Sequence, residues 1–237
     1  MAKLPEHARV VIIGQGGIVG ASVAHHLIAE GWDDIVGLEK SAIPTDIGST
    51  SHASDFCYMT SHDKLNVFTS TYSREFYRSR GNYIEIGGME VARKGDDERM
   101  LELQRKVASG KAFGSNAYMI SAAEAKEKFP LVEEDMIQGA MWDPDAGLVT
   151  PRSQKVAGDL VDEAVASGKL NTFAYTAANK IIVENGRAVG VETDKGTIMA
   201  DNVVLCAGIW GSLVSQTAGV KLPLMPLEHP LLFFGPW

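Results

Sequence analysis

Cysteine, basic charge and long apolar runs are all scarce in this sequence, and each scarcity excludes a class of protein. The two cysteines, Cys57 and Cys206, have no metal-type spacing around them, so we expect free thiols in a reducing compartment. Acidic residues outnumber basic ones by 30 to 22, so the net charge of −8 offers no basic field to nucleic acid or anionic lipid. Without a membrane-length apolar run or a signal peptide, the sequence predicts a cytoplasmic protein with no membrane partner.

The order of the predicted elements indicates an α/β protein. Its 237 residues, 45% of them hydrophobic, suffice for one large domain or two interleaved ones. The first 40 residues predict a strand–helix–strand unit, with strands over 8–14 and 34–40 and a helix over 17–31. Further on, the patterns predict helices over 64–81, 96–110, 121–130 and 151–168, a hairpin over 82–93 and a strand meander over 180–208.

Two local signals refine the helix predictions. Ser121 and Glu124 have the spacing of a capping box at the start of the helix over 121–130. Pro151 is suited to the first turn of the helix that runs to Gly168.

The glycine-rich stretch GQGGIVG (14–20) follows a predicted strand and opens a helix, which is the context of a dinucleotide-binding fingerprint. Glycine permits the tight turn, and the free N–H groups of the helix start can receive a diphosphate. Gly14 and Gly16 are followed by Gly20, one residue later than in G-x-G-x-x-G, so we infer a one-residue insertion. The cofactor contacts predicted here are Gly14, Gly16, Gly17, Ile18, Val19 and Gly20.

Glu39 ends the second strand, near the position where a carboxylate binds the ribose hydroxyls of a dinucleotide. A carboxylate there repels a 2′-phosphate, which argues against NADP. The alternative is a surface glutamate beside Lys40. We also predict Lys40 as a neighbouring cofactor contact. Together, the glycine-rich turn and Glu39 predict binding of an adenine dinucleotide. Periodicity does not distinguish FAD from NAD.

Five stretches, in order, carry a resemblance to a known family: VVIIGQGGIVGASVAHHL, LEK, GSTSHAS, DAGLVTP and ADNVVLCAGIWG. They resemble the FAD-dependent amine oxidoreductases of the dimethylglycine oxidase, dimethylglycine dehydrogenase and sarcosine dehydrogenase group. The resemblance implies a Rossmann-like FAD-binding domain (1–81 and 148–215) interleaved with an α+β substrate domain (82–147 and 216–237), as in D-amino acid oxidase. Because such proteins continue further, we expect a fold truncated at the C-terminus, with an incomplete flavin and substrate site and no activity in isolation.

Within GSTSHAS, His52 matches the histidine that bonds covalently to the flavin in this group, so the resemblance assigns that role to His52. Ser49, Thr50 and Ser51 then form the turn around the cofactor. A neutral imidazole nitrogen is a competent nucleophile, and small neighbours allow close approach to a planar ring. Without the resemblance, His52 would be interpreted as a solvated loop histidine.

The resemblance also predicts contacts later in the chain. Ala207, Gly208 and Trp210 match the family's second approach to the cofactor, and Ala178 matches a position whose backbone touches adenine. His229 matches a histidine that faces the substrate amine, although Pro230 and Leu231 stand where the family often has Gln-Tyr. A structural histidine on a strand is the alternative for His229.

The function implied by the resemblance is oxidation of a small N-methyl amine, such as dimethylglycine or sarcosine, by hydride transfer to the flavin held through His52. Oxygen or an electron-transfer flavoprotein would accept the electrons, and a missing C-terminal region could bind tetrahydrofolate. Two alternatives remain open: a glycine or D-amino acid oxidase-like enzyme with non-covalent FAD, and a nicotinamide-dependent reductase or non-catalytic dinucleotide-binding module.

Overall fold

The computed structural model describes residues 3–228, which form two compact units. Unit 1 combines the chain up to Ser54 with the chain from Arg152 onward, and unit 2 is the continuous segment Asp55–Pro151. No helix among the described residues is both long and apolar enough to cross a membrane. The predicted division into cofactor and substrate domains stays a prediction, since it concerns function.

The elements are, in chain order, β1 (His7–Ile13), α1 (Ile18–Ala29), β2 (Ile35–Leu38), β3 (Phe56–Cys57), α2 (Lys64–Ser79), β4 (Tyr83–Glu85), β5 (Gly88–Arg93), α3 (Asp97–Ala112), β6 (Tyr118–Ile120), α4 (Ala122–Lys128), a 3-10 helix (Glu134–Met136), β7 (Ile137–Asp143), β8 (Gly147–Val149), α5 (Ser153–Ala166), β9 (Leu170–Phe173), β10 (Ala178–Glu184), β11 (Arg187–Thr193), β12 (Gly196–Leu205), a second 3-10 helix (Gly208–Trp210) and α6 (Gly211–Gln216).

Unit 1 is built on a six-stranded sheet of order β10-β11-β12-β1-β2-β9. Strands β12, β1, β2 and β9 are parallel, whereas β10, β11 and the start of β12 form an antiparallel meander. β1 lies in the middle because its residues 10–13 are apolar and buried on both faces, as parallel strands require. The predicted β1–α1–β2 unit and the meander are confirmed, and β9 was not expected.

The buried face of the meander joins that of the parallel strands in one apolar cluster. Val11 and Val36 of the parallel strands pack there with Ile181, Val191 and Ile198 of β10, β11 and β12. On the other side, α1 contacts α5. The parallel strands are therefore covered on both faces, and their carboxyl ends form an edge where loops meet.

Unit 2 contains two three-stranded antiparallel sheets, β3-β8-β4 and β5-β7-β6. The hairpin predicted over 82–93 is wrong, because β4 pairs with β8 while β5 pairs with β7. Ile86 and Gly87 both donate their N–H to the Ala146 carbonyl oxygen, and Gly87 has φ +73° with the Trp142 ring where a Cβ would lie. The chain thus passes from one sheet to the next instead of turning back.

Of the two local predictions for helix starts, one is confirmed and the other is wrong. The capping box of α4 is confirmed, with Ser121 and Glu124 bonded reciprocally. The prediction that Pro151 lies in the first turn of α5 is wrong. Its peptide bond with Thr150 is cis, Arg152 is extended, and the helix begins at Ser153.

A buried carboxylate joins the Met59–Thr60 segment of unit 2 to the turn that follows β7. Asp143, at the end of β7, is 0% exposed. Its Oδ2 accepts the Met59 N–H at 3.0 Å and the Thr60 hydroxyl at 2.8 Å, and its Oδ1 accepts the Asp145 N–H at 3.2 Å. These bonds compensate the cost of burying the charge.

Candidate functional site

The carboxyl ends of three strands of unit 1 converge on Gly14. Its N–H and that of Gln15 both donate to the Leu38 carbonyl oxygen of β2, at 2.9 and 3.0 Å, while Cys206 after β12 donates to Ile13 at 2.7 Å. Gly14 has φ +93°, and a Cβ there would lie 2.4 Å from the Cys206 carbonyl oxygen. Only glycine suits this position, because it accepts the positive φ and has no Cβ to clash. Both properties are expected of the first glycine in a dinucleotide-binding fingerprint.

The other fingerprint glycines also make close contacts. A Cβ on Gly20 would lie 2.2 Å from the Gly14 carbonyl oxygen, so this glycine lets α1 approach the loop. A Cβ on Gly16 would lie 2.9 Å from both Cγ and Oε2 of Glu39. Gly17 is less constrained, with only the Thr50 hydroxyl within 4 Å, at 3.5 Å.

The residue in the lengthened loop, Gln15, is one that sequence reasoning missed. Its side chain is 0% exposed and lies against Gly37 of β2, where a Cβ would be 2.5 Å from Gln15 Cγ. Neither its Nε2 nor its Oε1 has a hydrogen-bond partner among the described residues. The one sequence signal for the burial of Gln15 was Gly37, because a glycine in a buried strand leaves room for a larger neighbouring side chain.

The start of α1 is suited to an anion. Its N-cap, Gly17, makes no side-chain cap, and the first turn has no acidic residue. Ile18 donates its N–H to the Thr50 hydroxyl at 3.0 Å, and the next residue, Val19, is 59% exposed. Apart from the engaged Ile18 N–H, a helix start that its own N-cap residue leaves uncapped, at the positive end of the dipole, is a donor arrangement that suits a diphosphate.

Glu39 is 6% exposed, so its interpretation as a surface glutamate is wrong. Its Oε2 accepts the Gly16 N–H at 3.1 Å, and its Oε1 accepts the N–H of Ser41 at 3.1 Å and the Ser41 hydroxyl at 3.3 Å. The carboxylate therefore connects the glycine loop to the segment after β2. Because a carboxylate offers about four lone-pair sites, it can still accept a ribose hydroxyl, and that role stays a prediction.

The segment containing His52 forms a compact turn. His52 Nδ1 lies 3.0 Å from the Gly48 carbonyl oxygen and 3.0 Å from the Ser51 hydroxyl, which itself donates to Gly48 at 2.8 Å. Ser49 accepts the His52 N–H at 3.2 Å. The bond from Ile18 to Thr50 places this turn against the start of α1. Two predicted parts of the site are thereby brought together.

The segment after β12 reaches the same edge. The Lys40 ammonium lies 3.5 Å from the centroid of the Trp210 ring, which connects the end of β2 to the second 3-10 helix. A Cβ on Gly14 would lie 3.1 Å from Ala207 Cα, and Gly208 has φ +49°. Burial raises the pKa of the neighbouring Cys206 thiol to about 11, so this thiol stays protonated at neutral pH.

Two predicted residues remain, Ala178 and His229. Ala178 is the first residue of β10 and pairs with Thr193 of β11. His229 lies outside the described residues. Its predicted role toward the substrate stays a prediction.

The family model for FAD-dependent oxidoreductases of the DAO type matches residues 9–237. This chain belongs to that family. Both the resemblance and the mixed α/β fold predicted from the sequence are confirmed.

Curated relatives share about 30% identity with nearly the whole chain. The pyruvate dehydrogenase phosphatase regulatory subunit of Mus musculus is 32% identical over 99% of this chain and 27% of its own length. Sarcosine dehydrogenase of the same species is 31% identical, covering 95% and 25%. The 4-methylaminobutanoate oxidase of Paenarthrobacter nicotinovorans is also 31% identical, covering 95% and 27%. The chain thus spans about a quarter of the length of these relatives.

Solved structures give the same fold. L-proline dehydrogenase from P. horikoshii superposes with a TM-score of 0.81 at 29% identity, covering 92% of this chain and 57% of that one. Glycine oxidase from Geobacillus kaustophilus superposes with a TM-score of 0.73 at 24% identity, covering 92% and 60%.

Proposed function

We propose that the protein containing this chain is an FAD-dependent oxidoreductase that oxidises a small N-methyl amine of the dimethylglycine or sarcosine type. The observation that carries the proposal is the bond from Ile18 N–H to Thr50, because it joins the uncapped start of α1 to the His52 turn. Relatives named sarcosine dehydrogenase and 4-methylaminobutanoate oxidase support the substrate class.

The residues of unit 1 would hold FAD in the following way. The N–H groups at the start of α1 bind the diphosphate, and Gly14 and Gly16 let the backbone approach it. Glu39 accepts the ribose hydroxyls of the adenosine. Lys40, Ala178, Ala207, Gly208 and Trp210 complete the contacts that we propose.

His52 would bond covalently to the flavin through Nε2. A carbonyl oxygen only accepts hydrogen bonds, so the contact with Gly48 places a proton on Nδ1. In the neutral imidazole the lone pair is then on Nε2, while Nδ1 makes the contacts with Gly48 and Ser51. When bound, the flavin supplies the hydride acceptor, and His229 would position the amine.

For the whole protein we also propose electron acceptors and a further partner. We propose oxygen or an electron-transfer flavoprotein as electron acceptor and tetrahydrofolate as a further partner. Sarcosine dehydrogenase and dimethylglycine dehydrogenase are described as mitochondrial in mammals, so the cytoplasmic location stays a prediction.

A His52→Ala variant is expected to lose all acid-stable flavin. The full-length protein without the substitution, purified with FAD and precipitated with acid, should retain yellow colour in the washed pellet because the flavin is bonded to the protein. The variant should release all its colour into the supernatant, since no other nucleophile of the turn replaces the imidazole.

His62→Ala is the matched control, because His62 lies in unit 2 and pairs with Glu102 at 2.9 Å. Its pellet should stay yellow. Colour released completely by the unsubstituted full-length protein would refute covalent attachment and favour the non-covalent, oxidase-like alternative.

A second candidate is a non-catalytic dinucleotide-binding module. The 32% identity with a protein named as a regulatory subunit favours it. The two candidates separate when the full-length protein, loaded with FAD, is mixed anaerobically with sarcosine or dimethylglycine. Bleaching of the yellow colour supports the oxidoreductase, and persistent colour with either amine supports the non-catalytic module.

A further inference from the structure

The loop between β9 and β10, residues 174–177, is bonded to the segment that contains Glu39. Thr176 donates its N–H to the Glu39 carbonyl oxygen at 2.7 Å, and Tyr175 donates its N–H to the Ser41 carbonyl oxygen at 2.9 Å. Glu39 in turn donates its N–H to Phe173 at 3.0 Å. The loop is therefore positioned beside the residue that we propose for the adenosine ribose.

The same loop is fixed from its other side. Lys195 Nζ donates to the Thr176 hydroxyl at 3.0 Å and to the Ala174 carbonyl oxygen at 3.4 Å. Ala177 donates its N–H to Asp194 Oδ1 at 3.0 Å. Thr176 itself is buried. These bonds hold the backbone of the loop in one conformation.

Tyr175 differs from its neighbours in two respects. Its φ of +52° is in the left-handed region, which is uncommon for a bulky aromatic residue. Its side chain is 64% exposed, although tyrosine usually buries much of its ring. The loop thus accepts backbone strain and exposes an aromatic side chain on a backbone that is bonded to the Glu39 segment.

We propose that Tyr175 is a binding residue for the adenine base, and that its ring stacks on adenine when an adenine dinucleotide occupies the site. The inference rests on the proposed function, which places the adenosine at Glu39. Bases stack readily on aromatic side chains, and the interaction depends on the π face rather than on hydrogen bonds. The positive φ of Tyr175 would persist because the hydrogen bonds of residues 174–177 hold the backbone of the loop.

The test is a titration of the ligand-free full-length protein with ADP, combined with urea-induced unfolding. Tyr175→Gly should weaken ADP binding on the order of tenfold. The same variant should unfold at an equal or higher urea concentration, because glycine adopts a positive φ without strain. Tyr175→Phe, which keeps the ring, should bind ADP within about twofold of the unsubstituted protein.

Asn185→Gly is the matched control, because Asn185 has φ +51° in the exposed turn between β10 and β11. It should leave ADP binding unchanged. Inorganic pyrophosphate, which lacks the base, should bind the Tyr175→Gly variant and the unsubstituted protein equally.

The outcomes separate the inference from the function on which it rests. Equal ADP affinity of Tyr175→Gly and the unsubstituted protein would overturn the role of Tyr175 and leave FAD binding intact. An equal weakening of pyrophosphate binding would also overturn it, because the loop rather than the ring would then be responsible. Failure of the unsubstituted full-length protein to bind ADP or FAD would overturn both.

Discussion

Gly14→Ala is expected to abolish FAD binding and to lower the free energy of unfolding by about 3 kcal/mol. Two costs add at this position. The methyl group would lie 2.4 Å from the Cys206 carbonyl oxygen, and the residue would have to keep φ +93°. The backbone can relieve the clash only by moving the loop away from β12, which displaces the start of α1. Urea-induced unfolding and co-elution of yellow FAD on gel filtration measure the two effects.

Gly31→Ala is the matched control. Gly31 has φ +88°, nearly the same as Gly14, but nothing lies within 4 Å of its Cβ position. It carries the conformational cost without the clash, so we expect a loss of about 1 kcal/mol and unchanged FAD binding. Equal effects of the two substitutions would show that strain alone, and not the close approach of β12, makes glycine necessary at position 14.

Asp143→Ala is expected to lower the free energy of unfolding by about 4 kcal/mol, because three donors lose a buried acceptor. The Met59 and Asp145 N–H groups and the Thr60 hydroxyl all donate to this carboxylate. Each unsatisfied buried donor costs about 1–3 kcal/mol, and alanine admits little water. Circular dichroism during urea unfolding measures the loss.

The control for this substitution is Asp135→Ala. Asp135 is exposed, in the 3-10 helix before β7, so its loss should change stability by less than about 0.5 kcal/mol. A loss below about 1 kcal/mol in Asp143→Ala would contradict the structural role, because it would mean that the three donors find other partners.

Sequence patterns predicted the features that depend on neighbouring residues. The β1–α1–β2 unit, its glycine turn and the capping box at Ser121 all arise from spacing within a few residues, where propensity and capping chemistry act directly. The family was also predictable, because its motifs follow one another in order.

Features that depend on distant partners were not predictable. The stretch 82–93 has the local pattern of a hairpin, but its two strands find better partners in β8 and β7, more than 40 residues later. The Glu39 carboxylate accepts hydrogen bonds from both Gly16 and Ser41, and this depends on where these two residues lie after folding. Likewise, neither the exposure of Tyr175 nor the burial of Gln15 could be predicted from their own neighbours.

The chain order of unit 1 has a consequence for biosynthesis. β1 lies between β2 and β12, and the residues of β12 that pair with it, Met199–Leu205, follow some 190 positions later. At ribosomal speeds of about 5–20 residues per second, the apolar strand β1 therefore waits about ten seconds or more for that neighbour. Unit 2 is one continuous segment and can fold meanwhile. Among the described strands, β1 is thus the one that waits longest for a sheet neighbour during translation.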